Sequence, residues 1–156
     1  MPLKPTKTGD PKVDKALDEI RDEIKQDQRS HLLGYGAADI GTGVSTRYLF
    51  PGYDNSTANT NAKWQIALHD GFLQNLKVGV RDPGDTADTI KVVVRVNEKD
   101  TPLSVQFSSL TTGVFSSKNN AQVPVKAGDR VSVVVIKGVV YVTSPGLFMA
   151  NLELVY

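Results

Sequence analysis

Up to His31 the apolar residues fall at helical spacing within dense charge; beyond it they fall in alternation, between clusters of Gly, Pro, Asn and Asp. One element cannot satisfy both patterns, because a helix repeats its faces every 3.6 residues and a strand every 2.0. The chain therefore divides near His31 into a helical piece and a β piece. Charge density changes at the same place: residues 1–31 hold seven of the 18 basic and seven of the 17 acidic residues, which leaves eleven and ten for the other 125 positions.

The helical piece has its own punctuation. Residues 1–9 (MPLKPTKTG) carry two prolines and a glycine without periodicity, and read as an extended peptide lacking a core. Asp10-Pro11 then supplies a capping carboxylate and a proline at the first helical position, where its missing N–H costs nothing. Val13, Leu17, Ile20 and Ile24 follow in steps of four, three and four, the d, a, d, a positions of a heptad repeat. Asp14, Lys15, Asp18, Glu19, Asp22 and Lys25 keep that stripe narrow, as in a seam between helices. An amphipathic helix packed on its own domain is the competing reading. The isoleucines favour three strands over two, and the seam stops where Asp27 and His31 take the next core positions. So short a helix is marginal alone in water and depends on the β piece to hold the chains together.

From Leu32 on, short β-branched or alternating segments predict an all-β domain. Expected strands cover 47–50; 64–68, with Trp64, Ile66 and Leu68 on one face; 73–80, with Leu76, Val78 and Val80; and 90–96. Later ones cover 103–107, 122–125, 130–136, 139–143 and 147–155. Turns are expected at residues 82–85 (DPGD), 97–100 (NEKD) and 127–129 (AGD), whose residue types tolerate positive φ or bond their own backbone. Residues 52–61 are polar and aperiodic, and read as a long surface loop.

Few chemistries find a home in this chain. A formal net charge of +1 gives no field to gather nucleic acid, and the absence of cysteine excludes thiol catalysis, disulfides and cysteine metal sites. No apolar run reaches the roughly 20 residues that cross a bilayer, and the polar first residues lack the apolar region of a secretory signal. No Gly-x-Ser-x-Gly elbow surrounds a serine, and neither His31 nor His69 has a second ligand at metal-like spacing. Asp82, Asp85 and Asp88 in DPGDTAD lack the acidic ladder of a calcium loop and read as a solvated hairpin. Gly34-Tyr35-Gly36 and Gly41-Thr42-Gly43 read as flexible backbone and not as phosphate cradles; Asn55-Ser56-Thr57 matters only in a secretory pathway. The aromatic residues form no row interleaved with Lys or Arg, so a base-stacking platform is not expected. No catalytic residue, metal or cofactor is assigned, and the expectation is a non-enzyme.

A run of segments carries a resemblance: LQNLKV at 73–78, VVVRVN at 92–97, the Gly128-Asp129 turn before Val131, and a last strand in GLFMANLELVY at 146–156. In this order they resemble the tumour-necrosis-factor and complement-type jelly roll, over most of residues 45–156. Residues 94–105 (VRVNEKDTPLSV) look like the versions found in bacteriophage head fibres, capsid decorations and tail appendages. The stalk is far shorter than a tail fibre needs and no collagen-like tract is present, which departs from some members. The resemblance implies a homotrimer and agrees with the heptad seam.

The sequence thus predicts an antiparallel jelly-roll sandwich of the tumour-necrosis-factor type behind a short N-terminal coiled-coil helix: a peptide at 1–9, a trimerisation helix at 10–30 and a head at 31–156. The expected function is that of a virion surface protein, made in the bacterial cytoplasm, trimerised by Val13, Leu17, Ile20 and Ile24. Docking on the phage capsid protein is assigned to Leu3, Lys4, Pro5 and Lys7. The alternative is the tip domain of a tail fibre that binds a host-surface glycan or receptor through exposed loops such as 52–61. Neither reading includes nucleic acid or membrane insertion as a partner.

Overall fold

The computed structural model describes residues 8–26, 30–43, 46–54, 56–117 and 120–156, and for residues 20–26 only the backbone. Among the described residues one helix, α1 (Pro11–Gln26), precedes eleven strands. These are β1 (Ser30–Asp39), β2 (Thr46–Tyr48), β3 (Phe50–Pro51), β4 (Gln65–Ile66), β5 (Gly71–Asp82) and β6 (Thr89–Val96), followed by β7 (Lys99–Ser108), β8 (Gly113–Ser116), β9 (Val123–Val125), β10 (Arg130–Ile136) and β11 (Gly146–Val155). They form two antiparallel sheets. Sheet A has the order β3-β1-β11-β5-β8, with β9 extending the edge of β5; sheet B has the order β2-β10-β6-β7, with β4 on β10. The expected β sandwich is therefore present.

The core lies between the sheets and follows from side-chain alternation. Leu33, Tyr35 and Ala37 of β1 and Phe148, Ala150, Leu152 and Leu154 of β11 point inward from sheet A. They meet Val92 and Val94 of β6 and Val131, Val133 and Val135 of β10 from sheet B. The Tyr35 hydroxyl crosses the core and donates to the Val131 carbonyl at 2.8 Å; burial raises its pKa. In β5, Leu73 and Leu76 are both buried although three residues apart, a spacing that breaks strand alternation. A bulge resolves this: Asn151 pairs with Lys77 but Glu153 with Gln74, so β5 carries one extra residue, and Asn75 takes φ 56°. Val93 and Val134 pair on the opposite face of sheet B and are also buried, which explains the unbroken valine runs there.

The strands depart from expectation in several places, among them β7, which begins at Lys99 within the expected turn at 97–100. β1 and β8 were not expected, since Gly34 and Gly36 weaken β1; its pairing with β11, not its own propensity, makes it a strand. The expected strand at 47–50 is split: Leu49 is fully buried between β2 in sheet B and β3 in sheet A, so the chain changes sheets there. Residues 139–143 form no strand; only Tyr141 of the run is buried, and its N–H donates to the Thr42 carbonyl. In the segment 64–68 only Gln65 and Ile66 pair, the buried residue is Ala67, and Trp64, Ile66 and Leu68 face outward.

Candidate functional site

Helix α1 starts as its sequence dictates. The Asp10 side chain accepts from the Lys12 N–H at 2.9 Å, and the Asp14 carboxylate reaches back to the N–H and hydroxyl of Thr8, both at 2.8 Å. The backbone N–H of Thr8 is the main reason that the Asp14 carboxyl lies below its usual range. Val13 and Leu17 remain 43% and 40% exposed, and α1 has no extended packing against any strand. The helix is thus not the amphipathic partner of its own head over these positions. For Ile20 and Ile24 the helical backbone is described, but their side chains lie outside the described residues, as do Leu3, Lys4, Pro5 and Lys7 altogether.

The strand registers show which end of the sandwich follows α1 in the chain. Ser30, the first residue of β1, pairs with Val155, which pairs with Phe72, which pairs with Pro124. One row therefore crosses sheet A at the point where α1 feeds into it. Along this row opens a cleft of about 680 Å³, with Phe72, Pro124, Val125, Val155 and Tyr156 among its walls and Asp70 and Lys126 at its mouth. Gly71 sits where a Cβ would lie 2.1 Å from the Val155 carbonyl oxygen, so no larger residue fits without moving β11. The Tyr156 ring stacks on His69 with centroids 4.1 Å apart. Two carboxylates of the lining are bound to the backbone, Asp70 by the Ala127 N–H and Asp129 by the Lys126 N–H, both at 2.8 Å, while Lys126 also lines the cleft. Two rows further along the sheet Leu32 is 64% exposed beside Glu153, whose carboxylate accepts from Asn75 at 2.7 Å and Gln74 at 3.2 Å. Those two bonds, the Asn75 one foremost, hold the Glu153 carboxyl below its usual range.

The opposite end is a set of stapled loops. Asp88 Oδ2 accepts from the Gly138 N–H at 2.9 Å and the Tyr141 hydroxyl at 3.0 Å, and Asp85 Oδ2 from the Thr143 N–H at 2.9 Å. DPGDTAD is therefore not a solvated hairpin: two of its carboxylates clamp residues 138–143, and the backbone amides that they bind have no sequence signature. Burial works to raise the Asp88 pKa, but the bonds from Gly138, Tyr141 and Thr89 outweigh it, and the carboxyl lies below its usual range. Tyr141 is pushed up to about 12 by burial and then by its bond to Asp88. Lys137, 3% exposed, donates to the Gly41 carbonyl. Burial, then the nearby Arg47 charge, lower its pKa to about 8 against the opposing pull of Asp39 and Asp88.

Among the described residues no group of three or more His, Asp or Glu side chains could hold a metal ion, and no helix is long and apolar enough to cross a membrane. The loop at 52–61 is pinned at Thr57, bridged to Asp39, and at Asn59, bridged to Tyr48, with Ala58 buried between them; Asn55 lies outside the described residues. Sequence reasoning missed the cleft because its walls come from three separated segments. The outward row Trp64, Ile66, Leu68 was visible in the sequence as one face of a strand, with nothing to show that this face points away from the core. No protein-family model matches the chain, and no curated protein matches it.

Proposed function

We propose that this chain is a non-enzymatic structural protein of a phage particle: a homotrimer whose jelly-roll heads stand on a short three-helix stalk, anchored to the capsid by the N-terminal residues. The observation that carries this reading is the uncovered stripe of α1. Val13 and Leu17 are the apolar residues of an otherwise charged face, and a helix with such a seam gains stability by pairing it with copies of itself. The strand pairing supports the jelly roll. β1 pairs with β11, β2 with β10, β5 with β8 and β6 with β7, so first meets last and the pairs nest inward, as when one long hairpin is folded over. The virion assignment rests on the resemblance of residues 94–105 to the versions found in phage head fibres and capsid decorations.

Removal of residues 1–9 tests the anchor. The shortened protein should keep its oligomeric mass and melting temperature and fail to join particles, because three tethered contacts are needed for tight attachment. Normal occupancy of particles by the shortened protein would move the docking site to the head.

A second reading, recognition of a host receptor, draws on the far end. There Val142 is 88% exposed on loops held rigid by Asp85 and Asp88, and a preorganised loop binds at a lower entropic cost than a loose one.

A further inference from the structure

We infer that Lys137 is a modification site: its amine takes up carbon dioxide reversibly, and the carbamate so formed pairs with the guanidinium of Arg47. The site is independent of the phage-particle reading above. Lys137 follows β10 in step with Val131, Val133 and Val135, so strand alternation carries its side chain to the core side. It is 3% exposed; its Nζ donates to the Gly41 carbonyl and lies 5.3 Å from the centre of the Tyr141 ring. Gly41 also meets the second cation, since a Cβ built there would lie 3.3 Å from the Arg47 guanidinium carbon. The facing carboxylates are held by other groups. Asp39 accepts from the Gly41 N–H at 2.7 Å and the Thr57 hydroxyl at 3.0 Å, and Asp88 from the Thr89 and Gly138 amides and the Tyr141 hydroxyl. Among the described residues neither cation forms an ion pair with a carboxylate. The Arg47 Nε is buried there without an acceptor.

Two like charges at one glycine favour loss of a proton, and the lysine gives it up because a guanidinium does not. With its pKa lowered to about 8, Lys137 is about half free amine at pH 8. A lysine at the ordinary value is free amine to about one part in 250 at that pH. The amine lone pair attacks the carbon of carbon dioxide: an N–C bond forms, one C–O π pair moves onto oxygen, and a nitrogen proton passes to water. Relative to the ammonium, two protons leave and the charge goes from positive to negative. Repulsion by Arg47 then becomes attraction, and its Nε gains a charged acceptor in a site where such bonds are strong. Carbon dioxide is small and uncharged, and Thr42, next to Gly41, is exposed, so the path from solvent to the amine is short.

The test is carbon NMR of the full chain at pH 8, equilibrated with isotopically labelled carbon dioxide. A carbamate carbon should give a resonance distinct from those of carbon dioxide and bicarbonate, and that resonance should be absent from Lys137→Met, whereas any carbamate of an α-amino group persists in that variant. Unfolding in urea should weaken it at least tenfold, because the amine then returns to its ordinary pKa. Arg47→Gln should lower it roughly tenfold through loss of a charge-assisted bond. At constant pressure of carbon dioxide it should fade between pH 8 and pH 6, as a step that releases two protons requires. Far-ultraviolet circular dichroism checks that each variant keeps its strands; if Lys137→Met unfolds, Lys137→Gln decides in its place, and if Arg47→Gln unfolds, the comparison of folded and urea-unfolded parent decides. A folded parent whose spectrum matches that of the folded Lys137 variant overturns the proposal. So does an undiminished resonance in urea or in folded Arg47→Gln.

Discussion

At the scale of single residues, Asp88 shows how a surface carboxylate becomes structural. It accepts from the Gly138 N–H, the Thr89 N–H and the Tyr141 hydroxyl, so its removal leaves a buried phenol and a backbone amide without their acceptor. Asp88→Ala should cost about 1–3 kcal/mol. Calorimetry at neutral pH should read this as a melting temperature lower by roughly 3–8 °C. Because the folded-state pKa of Asp88 lies below its ordinary value, the stabilisation is present at pH above that ordinary value, 3.8, and is lost as pH falls through the folded-state value. The gap between parent and variant should therefore shrink as pH falls below 3.8. A gap of equal size at pH 3 and pH 7 would mean that the carboxylate's charge contributes nothing. The sequence displayed Asp85 and Asp88 but not their partners: both bind main-chain amides some fifty residues away, and any residue type could have supplied those amides.

At the scale of elements, the β6–β7 hairpin was legible because its chemistry is local. Asn97 and Glu98 both have positive φ, 49° and 68°, between the paired Val96 and Lys99, as a two-residue type I′ turn requires. Asparagine adopts that conformation readily; glutamate does so at a cost. Glu98→Gly should therefore stabilise the protein by about 0.5 kcal/mol, after the lost ion pair with Arg130, an exposed contact of 3.5 Å, and the greater freedom of the unfolded chain are counted. Thermal unfolding should show a rise of roughly 1–2 °C; a fall would mean that the Arg130 pair outweighs the strain. Strands that exist through their neighbours were harder to read. β1 contains two glycines and is held by β11 on one side and β3 on the other, whereas residues 139–143 have strand-like composition and are drawn into a loop by Asp85, Asp88 and Thr42. Propensity favoured the wrong segment in both cases, because ladder partners and not side chains decide which backbone is extended.

At the scale of the whole molecule, β1 begins at Ser30, beside the change of period at His31, and strands alone follow among the described residues. The pairing of two antiparallel sheets was legible because the β6 and β10 valine runs and the alternation in β11 demand a core between layers. The outward face of residues 64–68 was not, since alternation at Trp64, Ile66 and Leu68 reads the same whichever side is buried. On the reading proposed above, copies of the chain associate through the uncovered Val13–Leu17 stripe of α1. Sedimentation equilibrium of the full chain at micromolar concentration tests this most directly. The expected result is a single species of about 51 kDa, three times the 16.9 kDa chain; a species of one chain mass across that range would contradict it.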